Sequence, residues 1–231
     1  INEYLSGMTR VIRSHRGTLD KYIGDAIMAF WGAPVSDPDH SGNAVITALE
    51  MQQTAQRLRA QFKARGWPEI HIGVGVNTGI MVVGDMGSVV RKAYTVMGDA
   101  VNLGSRLEGL CKEYGASIIV SEMTRNAVPG VVYRELDKVR VKGKDEPVSI
   151  YEPLGLEGQV GKPVLDEIKL AQQALKLYRA QNWDMAEMQL INLQKMASNS
   201  TLYELFVRRI QQFRAHPPQP GWDGVWVFET K

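Results

Sequence analysis

The stretch "DKYIGDAIMAF", residues 20–30, reads as two short apolar strands joined at Gly24-Asp25. Gly followed by a polar residue suits the two central positions of a type II′ hairpin turn. Two charges interrupt the apolar run: Lys21 inside the first strand and Asp25 at the turn. Taken alone they admit a plain account, with Asp25 solvated at the loop tip and Lys21 reaching past a sheet edge into water. Outward from the hairpin, Ile1, Tyr4, Leu5, Met8, Val11 and Ile12 recur at helical spacing, and Gly17 is placed to stop that helix. After a loop punctuated by Pro34 and Pro38, Ser41 to Arg65 reads as a long helix with Val45, Ala48, Met51, Ala55 and Phe62 on its apolar side.

Beyond that helix, "EIHIGVGVNTG" and "IMVVGDMG" read as a second strand pair, rich in β-branched residues and glycine. "KAYTVMGD" leads into a helix from about Asp99 to Tyr114, with Asp99 as its expected N-cap. A strand "ASIIVSE", a short helix near residues 121–126, and strands "VVYRELDKVRV" and "PVSIYEP" follow. The first helix is already under way at Ile1, with no Met ahead of it, so a preceding segment is expected. Restoring one strand there gives β-α-β-β-α-β, a ferredoxin-like unit with added strands, and the fold class expected is α+β.

The texture changes near Leu154. The expected organisation is a main domain over residues 1–153, a Gly-rich linker over 154–164, and a helical extension over 165–231. In that extension Ala174, Leu175, Tyr178, Trp183, Ala186 and Leu190 match one tetratricopeptide-like helix pair around "AQNWD". A single such pair cannot bury its own apolar face, so docking on the main domain is expected over a free peptide-binding arm.

Of 231 residues, 44% are hydrophobic, enough for one sizeable core and something more. Lys and Arg number 27 against 25 Asp and Glu, a balance that argues against a nucleic-acid partner. Cys111 is the one cysteine, which excludes an internal disulfide and a thiolate zinc cluster and fits a reducing compartment. No stretch approaches the length of an apolar membrane span.

Two further segments could carry chemistry. In "YTVMGDAVNLGSRLEG", residues 94–109, Asn102 and Arg106 stand one helical turn apart on the same face. An amide and a guanidinium so placed can act together on a sugar oxygen and a phosphate, or simply face water. In "VRVKGKDEP", Lys142 and Lys144 flank Gly143 and could hold phosphate, or belong to a charged loop.

The stretches "DKYIGDAIMAFWG", "GVGVNTGIMVVGDMG", "YTVMGDAVNLGSRLE" and "VRVKGKDE" resemble, in order, the catalytic domain of class III nucleotidyl cyclases over roughly residues 1–153. The tail "WDGVWVFETK" resembles the end of bacterial adenylyl cyclases whose cyclase domain follows a membrane-anchored sensor, often of the CHASE2 type. The resemblance implies an adenylate cyclase that makes 3′,5′-cyclic AMP and pyrophosphate from ATP with two Mg²⁺ or Mn²⁺ ions. Asp25 matches one of two metal-holding aspartates, the other lying on the strand expected ahead of the first helix. A chain without that strand is expected to have very low activity.

By the same resemblance Lys21 and Thr95 match the base-reading positions, where guanylyl cyclases usually carry Glu in place of the lysine. Threonine at the second position marks a subgroup that includes bicarbonate-responsive cyclases. Asn102 matches the residue that orients the ribose, Arg106 the one that stabilises the pentacovalent phosphorus, and Lys142, with Lys144 as the alternative, the triphosphate-binding lysine. Two chains pair head to tail in the family, so a homodimer with Asp25 of one copy facing Lys21, Thr95, Asn102, Arg106 and Lys142 of the other is implied. The fragment itself is expected to make no membrane contact, as the cytoplasmic part of a bacterial inner-membrane protein. The alternative is a silent cyclase-like domain that dimerises and relays a signal. A diguanylate cyclase is disfavoured, since no GGDEF-like turn occurs.

Overall fold

A computed structural model describes residues 1–141, 146–197 and 200–228. The chain is α+β, as expected. Helix α1 (Asn2–Ser14) leads into the hairpin β1 (Thr18–Ile23) and β2 (Ala26–Phe30). Gly24 has φ +65° while Asp25 stays out of the left-handed region, as a type II′ turn requires. The stop of α1 differs from expectation. Arg16, not Gly17, takes the left-handed conformation, at φ +62°. Gly17 is needed for closeness instead, because a Cβ there would lie 2.8 Å from both the Ile12 carbonyl oxygen and the Trp31 ring.

The long helix α2 (His40–Ala64) is the shared support of the N-terminal half. One side packs Met51 and Ala55 against Met8, Val11 and Ile12 of α1, with Ile27 and Ala29 of the hairpin beside them. Its other side packs Val45 and Ala48 against Ile118, Val120, Val128 and Val131. The second strand pair read from sequence is corrected by the structure. Strand β3 (Val74–Val76) pairs in parallel with β6 (Ile118–Ser121), while β4 (Val82–Gly87) pairs antiparallel with β5 (Lys92–Met97) as a separate arm. The loop after β3 redirects the chain, so adjacency in sequence does not become pairing.

Helix α3 (Asp99–Tyr114) follows β5 directly. Its N-cap is Gly98 at φ +147°, whose carbonyl accepts from Val101 and Asn102, so Asp99 is the first helical residue and not the cap. After β6 come α4 (Glu122–Ala127), β7 (Val131–Arg140) and β8 (Val148–Leu156). Ser121 caps α4 by accepting from the Thr124 amide. Helix α5 (Lys162–Arg179) begins only six residues after β8 ends. Helices α6 (Trp183–Met196) and α7 (Thr201–Ala215) and the short β9 (Trp226–Val227) complete the described chain. The main sheet has the order β3-β6-β8-β7-β9, so the C-terminal tail adds an edge strand to it.

The C-terminal helices share a core with the sheet. Leu107, Cys111, Ile119, Leu136 and Ile150 form one apolar cluster with Ala174, Leu190, Leu193, Phe206 and Ile210. Burial pushes the Cys111 thiol up to about 12, in keeping with a small core residue. Inside this cluster lies an ion pair: Arg209 of α7 donates to Asp137 of β7 at 2.5 Å, with both side chains almost wholly buried. Tyr114, the last residue of α3, donates to the same carboxylate oxygen at 2.6 Å, and the guanidinium lies 4.0 Å from the Trp226 ring centre.

Helix α3 approaches β3 closely, with glycines making the room. A Cβ on Gly73 would lie 2.9 Å from the Cys111 Cβ, and one on Gly75 would run into the Gly104 carbonyl oxygen and the Glu108 amide nitrogen.

Arg209→Ala leaves the Asp137 carboxylate buried without its partner and is expected to destabilise the fold by about 3–5 kcal/mol, measured by urea unfolding. Gly75→Ala meets backbone on α3, which cannot swing aside like a side chain, so a loss of about 1–3 kcal/mol is expected in the same measurement. A change below about 0.5 kcal/mol in either variant would contradict the packing described.

Candidate active site

The two hairpins of the N-terminal half meet at Thr95. Its side chain, on β5, is buried, and Lys21 Nζ on β1 donates to Thr95 Oγ1 at 3.2 Å. Phe30 and Tyr94 cross the same seam, with ring centres 6.1 Å apart. The sequence pair Lys21 and Thr95, 74 positions apart, is therefore assembled within one chain.

A residue that the sequence reading passed over completes the contact. Asp20 Oδ2 accepts from the Thr95 hydroxyl at 2.6 Å and from the Val96 amide at 3.4 Å. The Asp20 side chain is 1% exposed, and its Oδ1 lies 3.3 Å from Lys21 Nζ. Adjacent residues on a regular strand point to opposite faces, so Asp20 and Lys21 should not both reach Thr95. The β1–β2 register breaks at this point: Leu19 pairs with Ala29 and Lys21 with Met28, leaving Asp20 as the extra residue of a bulge. A bulge re-aims a side chain, and here it turns a carboxylate across to the neighbouring hairpin. No sequence signal for it was available beyond the charged Asp-Lys pair inside an apolar strand.

Asp25 occupies the exposed tip of the β1–β2 hairpin. Tyr4 on α1 registers it: burial raises the phenol pKa first, with the Asp25 and Glu108 charges adding to the rise. Asp25 stands roughly 10 Å further along the hairpin than Lys21, at about 3.3 Å per residue. One chain thus keeps the two charges of the opening hairpin apart. Asn102 is exposed and Arg106 partly exposed on α3, and no hydrogen bond or ion pair holds either side chain among the described residues. Both remain free to receive a ligand, on a helix fixed at its far end by Tyr114. Lys142 and Lys144 lie outside the described residues.

A carboxylate is the right donor for a hard divalent cation. Asp25 fits such an ion as a single ligand, since no group of three His, Cys, Asp or Glu converges among the described residues. No described helix is long and apolar enough to cross a membrane.

Comparison with known proteins agrees with this geometry. Residues 1–151 match the profile of the adenylate and guanylate cyclase catalytic domain. The chain is 36% identical over 157 residues to adenylate cyclase 1 of Rhizobium meliloti, covering 68% of this chain and 24% of that protein. It is 41% identical over 160 residues to an adenylate cyclase of Anabaena cylindrica, covering 66% of this chain and 31% of that one. The chain therefore spans a quarter to a third of the length of these curated relatives. Among solved structures it resembles the guanylyl cyclase Cya2, with TM-score 0.62, 35% identity and coverage of 69% and 81% of the two chains. The adenylyl cyclase CyaB from P. aeruginosa is similar at TM-score 0.62 and 31% identity, with 69% and 83% covered. With the profile extending over most of the chain, this protein belongs to the adenylate and guanylate cyclase catalytic-domain family.

Proposed function

We propose that this chain is the catalytic part of an adenylate cyclase that converts ATP to 3′,5′-cyclic AMP and pyrophosphate at sites shared across a homodimer. The observation that carries the reading is the Lys21–Thr95 contact at 3.2 Å, which brings together within one chain the pair assigned to the base. Lysine, where guanylyl cyclases usually carry Glu, favours ATP over GTP.

In the reaction the ribose 3′ oxygen bonds to the α-phosphorus, the bond from that phosphorus to the bridging oxygen breaks, and pyrophosphate leaves with the electron pair. Two Mg²⁺ or Mn²⁺ ions, when bound, would neutralise charge on the phosphates and ease loss of the 3′ proton to solvent water. Asp25 offers one carboxylate ligand for such ions. Arg106 donates to the equatorial oxygens of the α-phosphate, where charge is greatest in the transition state; an arginine so used is worth roughly 10³–10⁵ in rate. Asn102 aligns the ribose, an effect on orientation more than on binding. Lys142, or Lys144, would meet the triphosphate.

Two structural features support a shared site. Asp25 and Lys21 stand apart within one copy, which fits a site in which Asp25 of one copy faces Lys21 of the other. The β4–β5 arm also leaves Ile80, Val82, Val89, Val90 and Met97 exposed along and beside it, an apolar surface suited to a partner. A C2 dimer would place two equal sites, each drawing on both chains. The open edges of β2 and β3, which α2 spans without a strand between them, support a further strand at that place carrying the second metal aspartate. The finer organisation proposed is a cyclase unit over 1–153, a linker over 154–164 and a tetratricopeptide-like extension over 165–231, in a membrane-anchored sensor. The rival reading is a silent dimerising relay, against which the joint presence of Lys21, Asp25, Asn102 and Arg106 counts.

Full-length protein assayed with ATP and Mn²⁺ decides between them: cyclic AMP formation supports the enzyme, and none supports the relay. Arg106→Ala is expected to lower kcat at least 10³-fold with KM for ATP changed only a few-fold; equal losses in both would remove the transition-state role. Asp25→Ala and Arg106→Ala, each nearly inactive alone, are expected to regain up to a quarter of wild-type activity when mixed, because half of the heterodimers' sites are whole. Absence of any recovery in mixtures shown to exchange subunits would rule out sites shared between chains.

A further inference from the structure

We propose that Asp20 fixes the direction of the Thr95 hydroxyl and thereby selects a 6-amino purine over a 6-oxo purine. The proposal rests on the reading of Lys21 and Thr95 as the base-binding pair and adds the residue that sets their polarity. Thr95 has one hydroxyl proton. Lys21 has donors only, and an ionised carboxylate has acceptors only. Between them the proton has one place to go: Thr95 donates to Asp20 Oδ2 at 2.6 Å, and Lys21 donates to Thr95 Oγ1 at 3.2 Å. The hydroxyl cannot turn round without breaking a hydrogen bond to a carboxylate that is 1% exposed.

What remains for a nucleotide is an acceptor lone pair on Thr95 beside spare donors on Lys21. The Watson–Crick edge of adenine offers the complement, with N1 as acceptor and the 6-amino group as donor. A 6-oxo purine reverses both groups, presenting a carbonyl acceptor at C6 and a donor at N1. Thr95 can meet that carbonyl only by donating, and its proton is already committed to Asp20. The bulge at Asp20 is the structural device: without the register break between Leu19 and Lys21, the carboxylate would face away from Thr95. Asp20 touches no substrate in this scheme and acts as a positioning residue.

The test is the preference ratio between ATP and inosine triphosphate in full-length protein, measured twice. One readout is displacement of a fluorescent ATP analogue, and the other is kcat/KM for cyclisation. Asp20→Asn keeps the shape but supplies a side chain that both donates and accepts, so the hydroxyl is freed. The ATP preference is expected to fall at least ten-fold in both readouts, through loss for ATP, gain for inosine triphosphate, or both. Thr95→Val should lower it to a similar extent, and the double variant should add little, since the two residues act through one bond. If Asp20→Asn does not fold, Asp20→Ser removes the obligatory acceptor in the same way and takes its place. A ratio within two-fold of wild type, equal losses for both nucleotides, or full additivity with Thr95→Val would overturn the role of Asp20. Wild-type protein that binds neither nucleotide, or does not prefer ATP, would overturn the base-binding assignment beneath it.

Discussion

The structure depends on how closely α3 approaches β3. Gly75 of the strand faces the Gly104 carbonyl and the Glu108 amide of the helix, so the two backbones meet there directly, and Gly73, just before the strand, makes room for the Cys111 side chain. Such contact leaves almost no freedom of tilt or slide, because any displacement separates backbone from backbone and opens a void. The helix that carries Asn102 and Arg106 is thereby fixed to β3, an edge strand of the five-stranded sheet. Asn77, next on the same face, adds a directed tie by donating to the Ala100 carbonyl at 2.8 Å. The glycines of "GVGVNTG" are thus spent on proximity and not on turns. Position 75 tolerates no Cβ for that reason, although its backbone conformation is open to other residues.

The opposite end of α3 is held by charge. Desolvation of Arg209 and Asp137 costs several kcal/mol for each ion, and their attraction alone does not guarantee a net gain. What the arrangement supplies is direction. Asp137 accepts from Arg209, from Tyr114 and from the Lys138 amide, which leaves one geometry in which all are satisfied. The Tyr114 phenol stands well above its usual pKa, chiefly through burial and then through the Asp137 charge, and so keeps its proton as a donor. A second network repeats the pattern nearby: Arg134 bridges Glu152 of the sheet and Glu167 of α5 at 2.5 and 2.7 Å. Burial works against the charge on both arginines, yet both stand above their usual pKa, Arg134 chiefly through Glu152 and Arg209 through Tyr114 and then Asp137. An extension attached only through apolar contacts could settle in several registers; one buried and one partly buried arginine network restrict it to one.

Much of this was legible in the sequence where periodicity is strong. The helices α1, α2, α3, α5 and α6 follow the spacing of their apolar residues, and the Gly24-Asp25 turn declared its hairpin through glycine chemistry. Strand pairing was not legible. Val74–Val76 and Val82–Gly87 look like consecutive strands of one hairpin, yet the first joins Ile118–Ser121 more than forty positions away. Local sequence states that a segment is extended, not which partner it finds. Asp20 escaped for a related reason: alternation along a regular strand would turn it away from Lys21, and only the bulge aligns them. The docking of the C-terminal helices was legible through the shortage of apolar partners in a lone helix pair, but Arg209 was not. A basic residue in an amphipathic helix reads as solvent-facing until its carboxylate is found 72 positions earlier.

The two ends of α3 together make the extension part of the same rigid body as the candidate site. Arg106 and Tyr114 are eight residues apart, about 12 Å along the axis and a little over two turns. Over that length a helix behaves as a rod, so a rotation imposed at Tyr114 reaches Arg106 nearly undiminished. The Gly115 cap is pressed by Thr201 at the start of α7, where a Cβ would stand 2.6 Å from the threonine's own, so α7 meets α3 at two points, through Thr201 and through Arg209. Two contacts fix an orientation where one would leave a pivot. Arg106 thus sits on a helix held by β3 beneath it and by the C-terminal helices at its far end, so the helices after β8 bear on the orientation of α3 as well as on the stability of the fold.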